Sequence, residues 1–370
     1  MENPDIAPNA ARCRFRRIVV KVGSNVLTRT DGTLDTTRMS ALTDQLAALH
    51  RAGVEVILVS SGAVASGRNE LKTQRKLDSV SARQLFSAVG QVKLLNRYYD
   101  LFNEYGIACG QVLTTKESLS TRRQYLNQRN CMEAMLAAGV VPIVNENDTI
   151  SVTELMFTDN DELSGLVAAM MGAEALVILS NIDGIYDGSP SDPASQVIRR
   201  VAPGRDLSQY IDTARSSRGR GGMTTKSRIS SRAAGEGIEV VIANGRRDNI
   251  LTDLILTDRD VVCTRFEAAP RPASGVKKWI ASSEGFAKGA LHLDAGAAAA
   301  VSQSKAASIL AVGVTAVEGD FERDDIVRIL SPEGAPLGVG RISCDSATAR
   351  RNLGRKGLKP LIHCDYLYLE

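Results

Sequence analysis

Two clusters of acidic and amide side chains stand close together between residues 139 and 165. The first cluster, Asn-Glu-Asn-Asp at 145–148, directly follows an apolar run at 140–144 that predicts a buried strand. The second cluster, Asp-Asn-Asp-Glu at 159–162, precedes an apolar run with helical spacing. Because ligands bind at the carboxyl ends of the strands in open α/β sheets, this crowding of polar groups predicts a binding site. The alternative is a surface loop rich in turn-forming residues.

The acids of this stretch allow two chemical interpretations. They are Glu146, Asp148, Glu154, Asp159, Asp161 and Glu162. A two-metal site is one interpretation. The other is recognition of an ammonium group by carboxylate and amide oxygens together, which suits an amino-acid substrate. The interleaved amides and the apolar residues at 155–157 favour the second. Magnesium stays open, because it needs few protein ligands when phosphates supply the others.

Glycines, hydroxyls and lysines recur near several predicted strand ends, at residues 21–24, 60–63 and 219–226. Glycine lets the backbone approach a phosphate closely, and backbone N–H groups at a helix start bind anions. Lys21 and Lys226 add positive charge that could stabilise a phosphoryl group during transfer. Positioning and charge neutralisation are what phosphoryl transfer needs, so the segments predict that chemistry.

Lys21 is the strongest single indication, because it lies inside the predicted strand at 18–22 and lysine is costly to bury unless it is paired or used. Its alternative is a charge on an edge strand. Common nucleotide motifs are missing from the sequence: no Gly-Lys-Ser/Thr triplet occurs, and no G-x-G-x-x-G follows a strand. The histidines lie far from these loops in sequence, so no serine or cysteine triad can be assembled there.

Alternating strand and helix patterns predict a mostly parallel, three-layer α/β domain over residues 16–267. Predicted strands lie at 18–22, 54–59, 107–113, 140–144, 175–179 and 238–243, with helices between them. Residues 1–15 are expected to form a disordered tail. The Pro- and Ala-containing segment 268–275 predicts a linker, and short alternating segments beyond it predict a small β-rich domain at 276–370.

Composition excludes several classes of protein. With 44% hydrophobic and 24% charged residues and a net charge of +3, the chain is typical of a soluble globular protein. Its six scattered cysteines form no C-x-x-C pair, which favours reduced thiols in the cytoplasm over a disulfide framework or a zinc site. Because no signal-peptide or membrane-spanning apolar run is present in the sequence, we expect a cytoplasmic protein without membrane contact.

These loops, in this order, resemble the amino acid kinase superfamily, and within it the bacterial enzymes that phosphorylate glutamate. The similar segments are Val-Val-Lys-Val-Gly-Ser at 19–24, Val-Ser-Ser-Gly-Ala at 59–63, Val-Asn-Glu-Asn-Asp at 144–148, Asp-Asn-Asp at 159–161 and Gly-Gly-Met-Thr-Thr-Lys at 221–226. Segments 289–297 and 317–321 resemble a PUA domain. The resemblance implies ATP-dependent phosphorylation of the side-chain carboxylate of L-glutamate, the first step of proline biosynthesis. It also implies Mg²⁺ held mainly through the ATP phosphates, L-proline as a feedback inhibitor and a homo-oligomer.

The resemblance also implies roles for individual residues. Lys21 and Lys226 would contact the ATP phosphates, and Asp161 would orient the two lysines. The residues expected to hold glutamate are Ser61, Asp148 and Asn160. The remaining expected nucleotide contacts are Gly23, Gly62, Ser180, Asn181, Arg220, Gly221, Gly222, Met223, Thr224 and Thr225. No dedicated metal ligand of the protein is expected.

Departures from the family pattern leave some alternatives open. The family commonly has Thr-Asp where this chain has Ser180-Asn181, and smaller residues where it has Arg218 and Arg220. The two arginines either contact phosphate or are solvated. A sister enzyme acting on acetylglutamate or aspartate is the first alternative function. RNA binding through the PUA-like part is the second, suggested by the basic residues at 350–351, 355–356 and 359 but offset by acids at 320–325.

Overall fold

The structure is a computed structural model that describes residues 13–71, 78–120, 122–151, 159–190, 192–210, 222–257, 259–270, 287–303 and 307–369. The chain divides into two compact units, one of residues 1–115 and 129–272 and the other of residues 116–128 and 273–370. Phe15, at the end of the predicted tail, is buried in the core of the first unit. Most of the predicted linker lies outside the described residues.

The first unit is built on a sheet whose strands occur in the order β3-β4-β2-β1-β5-β7-β8-β6. Its strands are β1 (Arg17–Val22), β2 (Glu55–Ser60), β3 (Cys109–Thr114), β4 (Val141–Glu146), β5 (Ala175–Ser180), β6 (Arg200–Val201), β7 (Glu239–Asn244) and β8 (Thr264–Phe266). Only the β7–β8 pair is antiparallel among the described pairs. The predicted, mostly parallel α/β fold is confirmed.

Helices accompany the strands on both faces of this sheet. They are α1 (Ser24–Leu27), α2 (Thr36–Arg51), α3 (Ala63–Glu70), α4 (Ser79–Asn103), α7 (Asn160–Met171), α8 (Met223–Gly235) and α9 (Ile250–Ile255). Two further helices, α5 (Lys116–Ser120) and α6 (Arg122–Ala137), contain the segment 116–128 that belongs to the second unit. Because side chains alternate along a strand, Ile18 and Val20 of β1 pack with α2 and α4, whereas Lys21 points to the opposite face. There its side chain contacts Asp161 of α7.

The position of Lys21 rejects the edge-strand interpretation. β1 lies in the middle of the sheet, and Lys21 pairs with Val59 of β2 and with Ile178 of β5. The lysine side chain is 6% exposed. A cation buried on a central strand requires an anionic partner. The functional site is therefore expected around Lys21.

Helix α3 was not predicted, because its small residues at 63–67 carry little apolar periodicity. Its packing explains this composition. A Cβ atom added to Gly90 of α4 would lie 1.8 Å from the carbonyl oxygen of Ala63. One added to Gly67 would lie 1.8 Å from the carbonyl oxygen of Phe86. The two helices therefore cross backbone to backbone, and small residues are required at the crossing.

Gly90→Ala is expected to lower the free energy of unfolding by about 2–4 kcal/mol, because neither backbone can yield to the added methyl group without separating α3 from α4. Urea denaturation measures the change. Gly235→Ala is the matched control, since a Cβ there meets nothing within 4 Å and alanine is the better helix former. Equal stability of the two variants would contradict the close crossing.

The second unit has its own five-stranded sheet in the order β10-β9-β11-β12-β13. Its elements are β9 (Gly289–Leu293), α10 (Ala295–Gln303), β10 (Val314–Gly319), β11 (Ile326–Leu330), β12 (Pro336–Arg341), α11 (Ser346–Arg351) and β13 (Leu367–Leu369). Leu291, Val327, Ile329 and Ile342 belong to a separate hydrophobic core. This unit confirms the predicted β-rich domain. Across the part of the chain that is described, no helix combines the length and apolar character needed to cross a membrane.

Candidate functional site

A cavity of about 580 Å³ opens where the central parallel strands of the first unit end. The structure brings many of the predicted site residues to its lining: Lys21, Gly23, Ser61, Asn160, Asp161, Ser180, Asn181, Gly222, Met223 and Lys226. Gly62, Asp148, Thr224 and Thr225 do not line it. Arg220 and Gly221 lie outside the described residues. The location agrees with the general rule for ligand sites in open α/β sheets.

Two lysines share one buried carboxylate at this cavity. Lys21 Nζ lies 2.6 Å from Asp161 Oδ1, and Lys226 Nζ lies 2.9 Å from Asp161 Oδ2. Burial raises the pKa of Asp161, but the positive charges of Lys21 and Lys226 outweigh burial and lower it to about 2. Asp159, which lines the same cavity, is a second carboxylate in the field of both lysines.

Three separate elements position this cluster. Lys21 comes from β1, Asp161 from the first turn of α7, and Lys226 from the first turn of α8. A Cβ added to Gly165 would lie 2.8 Å from Ile229 Cγ2, so α7 and α8 pack closely one turn beyond the two charged residues. The absence of a side chain at 165 thus lets Lys226 reach Asp161.

Asp159 is a functional candidate to which the sequence assigned no separate role. Its Oδ1 accepts hydrogen bonds from the backbone N–H groups of Asp161 and Glu162 and caps α7, which begins at Asn160. Its Oδ2 is buried without a hydrogen-bond partner among the described residues. Burial and the neighbouring Asp161 charge raise the pKa of Asp159 to about 6. An aspartate directly before a helix was the available sequence signal.

Asp159→Asn is expected to increase the free energy of unfolding by roughly 1–3 kcal/mol at a pH of about 7.5. Asparagine caps a helix as well as aspartate does but carries no charge to bury. Because the pKa of Asp159 is higher in the folded state, the ionised group destabilises the fold above about pH 6. That cost disappears below about pH 4, where both states are protonated.

Urea denaturation of both proteins across this pH range measures the difference. The control is Asp78→Asn at the cap of α4, where the side-chain and backbone hydrogen bonds of Ser81 lower the pKa of the exposed Asp78. The sign is reversed there, so Asp78→Asn is expected not to stabilise the protein at neutral pH. If Asp159→Asn raised the free energy of unfolding equally at every pH, the result would contradict burial of the Asp159 charge.

Asn160 is held by hydrogen bonds that orient its amide. Its Nδ2 donates to Ser61 Oγ at 2.7 Å, to Asn145 Oδ1 at 3.1 Å and to the Ser60 carbonyl at 3.4 Å. Asn145 in turn donates to Gln91 Oε1 at 2.9 Å. The donor side of the Asn160 amide is therefore committed to the protein, which leaves its Oδ1 on the side suited to accept from an ammonium group. In the sequence, Asn145 is distinguished only as part of the polar cluster at 145–148.

Asp148 lies deeper than the other predicted substrate residues. It is 7% exposed and forms an ion pair with Arg83 of α4, which also contacts Glu146 Oε2 at 2.9 Å. Ser87 Oγ donates to Asp148 Oδ2 at 3.3 Å. β4 extends through Glu146, two residues beyond its predicted end, so Asn145 and Glu146 belong to the strand and not to a loop.

Glycines lie around the part of the site where the nucleotide is predicted to bind. A Cβ added to Gly23 would lie 3.4 Å from Lys21 Nζ and 3.3 Å from the Leu179 carbonyl oxygen. Gly62 has a φ of 109°, a left-handed conformation that favours glycine, and it precedes α3. Ser180 ends β5, and with Asn181 it lines the cavity. The N-terminus of α8 contributes Gly222 and Met223 to the same lining.

Two protein-family models match this chain. The amino acid kinase family model matches residues 16–244, and the PUA domain model matches residues 289–361. The chain belongs to the amino acid kinase family. The family match covers strands β1 to β7 and every described residue of the cavity lining.

Curated relatives agree over nearly the whole length. The glutamate 5-kinase of Bacteroides thetaiotaomicron is 66% identical over 356 residues, which cover 96% of this chain and 99% of that protein. The glutamate 5-kinase of Chlorobaculum tepidum is 48% identical, and the match covers 96% of this chain and 98% of that protein. That of Shewanella amazonensis is 38% identical, with coverage of 95% and 93%. The predicted superfamily is confirmed, and the relatives are full-length kinases that match both units.

Proposed function

We propose that this protein transfers the γ-phosphoryl group of ATP to the side-chain carboxylate of L-glutamate, giving L-glutamyl 5-phosphate and ADP. The reaction is the first step of proline biosynthesis. The observation that carries the proposal is the pair of lysines held on one buried aspartate, Asp161, which directly follows the oriented Asn160 on α7. The 66% identity to a glutamate 5-kinase supports L-glutamate as the acceptor.

The acceptor explains the chemistry of the cluster. A carboxylate oxygen is already ionised at neutral pH, so attack on phosphorus requires no general base. Consistent with this, the described residues that line the cavity include no histidine. Lys21 and Lys226 would neutralise the charge of the phosphoryl group during transfer, and Asp161 would hold both ammonium groups in place.

The nucleotide would lie along the glycine-containing strand ends. Gly23 and Gly62 are proposed to bring backbone N–H groups to the phosphates, and the N-terminus of α8 favours bound anions because its first N–H groups lack helical partners. The other proposed nucleotide contacts are Ser180, Asn181, Arg220, Gly221, Gly222, Met223, Thr224 and Thr225. The cavity lining supports Ser180, Asn181, Gly222 and Met223.

The amino-acid subsite is proposed to consist of Ser61, Asp148 and Asn160, with Asn145 as a support. Asn160 Oδ1 and the Asp148 carboxylate are acceptors suited to the α-ammonium group of glutamate. The hydrogen bond from Asn160 to Ser61 Oγ supports a shared role, since it fixes both side chains at the end of β2.

Magnesium fits this site as a partner of ATP. Asp159 lines the cavity, and its buried Oδ2 lacks a hydrogen-bond partner among the described residues. A carboxylate oxygen is the ligand type that Mg²⁺ prefers. We propose that the ATP phosphates hold most of the ion's coordination and that Asp159 offers the one protein oxygen. When bound, Mg²⁺ neutralises phosphate charge and orients the triphosphate.

Trapping the product with hydroxylamine tests the proposed function. With ATP, Mg²⁺ and L-glutamate, the expected product is the γ-hydroxamate, and its formation requires all three. L-Aspartate and N-acetyl-L-glutamate are parallel acceptors. Hydroxamate with one of these and none with glutamate would overturn the assignment and move the protein to a sister kinase of the family.

Further proposals concern how the enzyme is regulated, assembled and located. As the resemblance to the family implies, we propose L-proline as a feedback inhibitor and a homo-oligomeric enzyme. The six cysteines are all free, which supports a reducing, cytoplasmic location. RNA binding through the PUA domain has weaker support, because Arg350 is already paired with Asp320 at 3.3 Å. Steeply salt-dependent RNA binding by the full-length protein would favour it.

A further inference from the structure

Three consecutive residues that carry different metal-binding groups lie in one turn of the second unit. They are His363, Cys364 and Asp365, shortly before β13. A ligand atom of each lies within 4.8 Å of those of the other two, and the described part of the chain contains no other such group. An imidazole nitrogen, a thiolate and a carboxylate oxygen are the ligand types that bind zinc in proteins.

The backbone holds this turn in a defined shape. Ile362, directly before the turn, is fully buried in the core of the second unit. The Cys364 N–H donates to Ser308 Oγ at 3.0 Å, and the Tyr366 N–H donates to the His363 carbonyl oxygen at 2.8 Å. Because these contacts already order the turn, a bound ion would not have to supply the cost of ordering it.

The distances between the ligand atoms match two edges of a tetrahedral zinc site. His363 Nδ1 lies 3.7 Å from Cys364 Sγ and 3.4 Å from Asp365 Oδ2. With a Zn–S distance of about 2.3 Å and Zn–N and Zn–O distances of about 2.1 Å, tetrahedral angles require S–N and N–O separations of about 3.5 and 3.4 Å. Two of the three edges between the protein ligands therefore already have the length that a bound ion needs.

The hydrogen bonding of His363 identifies the nitrogen that can coordinate. Its Nδ1 accepts a hydrogen bond from the Asp365 N–H at 3.3 Å, so in the neutral ring this nitrogen is unprotonated and the proton is on Nε2. Nδ1 is also the nitrogen that the thiol and the carboxylate approach. A divalent ion would take over its lone pair from this long hydrogen bond.

The same three groups could instead form a nucleophilic cysteine with its base. In that arrangement the thiol contacts one ring nitrogen, and the carboxylate binds the other and orients the ring. Here Cys364 Sγ and Asp365 Oδ2 both approach Nδ1 of His363, so the carboxylate does not orient the ring for proton transfer from the thiol. Three ligand atoms that converge on one point suit a shared ion.

We propose that His363, Cys364 and Asp365 form a zinc site, with His363 Nδ1, the Cys364 thiolate and one Asp365 carboxylate oxygen as ligands. Zn²⁺ accepts nitrogen, sulfur and oxygen ligands together, and three protein ligands leave one tetrahedral position for water. Binding releases the Cys364 thiol proton to solvent, because the thiolate is the ligand. The site goes beyond the proposed kinase reaction and uses none of its residues.

Titration of the metal-free, full-length protein with Co²⁺ tests this site, because a Co–S bond gives an intense charge-transfer band in the near ultraviolet. The band is expected to saturate at one Co²⁺ per chain and to disappear when Zn²⁺ is added. Cys364→Ser is expected to abolish it. His363→Gln and Asp365→Asn are expected to weaken Co²⁺ binding at least about tenfold, since loss of even an outer partner of a metal ligand typically costs that much.

Cys131→Ser is the matched control, because Cys131 is an exposed free cysteine of α6. It is expected to leave the cobalt band unchanged. Thermal unfolding of each variant shows that it is folded. A folded wild type without a sulfur-to-cobalt band, or a band of equal strength in Cys364→Ser, would overturn the inference.

Alkylation of the wild-type protein gives a second measurement that needs no variant. One equivalent of Zn²⁺ is expected to slow the reaction of Cys364 with iodoacetamide about tenfold or more, because the thiolate is the reactive form and the ion occupies it. Mass spectrometry of the peptides reports Cys364 and Cys131 separately, and Cys131 is expected to react at an unchanged rate. Alkylation of Cys364 that does not respond to Zn²⁺ would reject the site. Both measurements report binding and not turnover, so failure of the glutamate assay would leave their outcome unchanged.

Discussion

Lys226→Met is expected to lower kcat by about three orders of magnitude, equivalent to about 4 kcal/mol of transition-state stabilisation. The methionine side chain is similar in length but has no charge. In the structure, Lys226 Nζ lies 2.9 Å from Asp161, and its side chain is only 11% exposed. A cation in such a sheltered position interacts with developing phosphoryl charge far more strongly than one in bulk water. The KM for glutamate should change little, since the lysine faces the phosphoryl group.

Single-turnover measurement of hydroxamate formation gives this effect without interference from product release. Arg228→Met is the matched control, because Arg228 lies on the exposed face of the same helix and carries the same charge. It should retain near-normal turnover. Turnover of Lys226→Met close to that of wild type would reject the proposed contact between Lys226 and the transferring group.

Asp161→Asn is expected to reduce both activity and stability. Asp161 is 0% exposed and is the shared partner of Lys21 and Lys226, so its neutralisation leaves two sheltered cations without their anion. Breaking a buried ion pair from one side typically costs about 3–5 kcal/mol. Because Lys21 and Lys226 could separate or lose their orientation, kcat is expected to fall by at least about a hundredfold.

The difference in stability between Asp161→Asn and wild type is expected to depend on pH. The pKa of Asp161 is lowered to about 2 against its burial by Lys21 and Lys226. Its contribution to stability is therefore present above about pH 4 and is lost as pH falls through about 2. Urea denaturation should show wild type more stable than Asp161→Asn throughout the neutral range. Glu162→Gln, at the next position of α7, is the control and should retain activity; equal stability of Asp161→Asn and wild type would contradict the shared ion pair.

Local sequence signals selected candidate residues of the phosphoryl cluster, whose catalytic roles stay predictions. Lys21 was informative because a lysine within an apolar strand is rare, and Asp161 because it precedes a helix in a polar cluster. The parallel sheet followed from alternating strands and helices. The pairing of both lysines with Asp161 came from the family resemblance, because it joins three elements whose approach depends on the packing of α7 against α8.

Contacts from distant segments could not be predicted. Arg83 precedes Asp148 by 65 positions, and nothing in the helix around it distinguishes a buried arginine from a solvated one. The same limit applies to Asn145, whose bonds to Gln91 and Asn160 depend on where α4 and α7 meet β4. The raised pKa of Asp159 likewise depends on burial, which a sequence does not display. Arg218 and Arg220 lie outside the described residues, and their roles stay predictions.

The most direct test of the central claim follows an oxygen atom of the acceptor. L-Glutamate labelled with ¹⁸O in its side-chain carboxylate is incubated with the enzyme, ATP, Mg²⁺ and hydroxylamine. Attack by the carboxylate on the γ-phosphorus places a labelled oxygen between carbon and phosphorus. Hydroxylamine then attacks the carbonyl carbon and expels phosphate that keeps this oxygen. Mass spectrometry of the released phosphate is expected to show one ¹⁸O atom for each γ-hydroxamate formed. Unlabelled phosphate, released at the same rate with or without glutamate, would show transfer to water and would contradict the account.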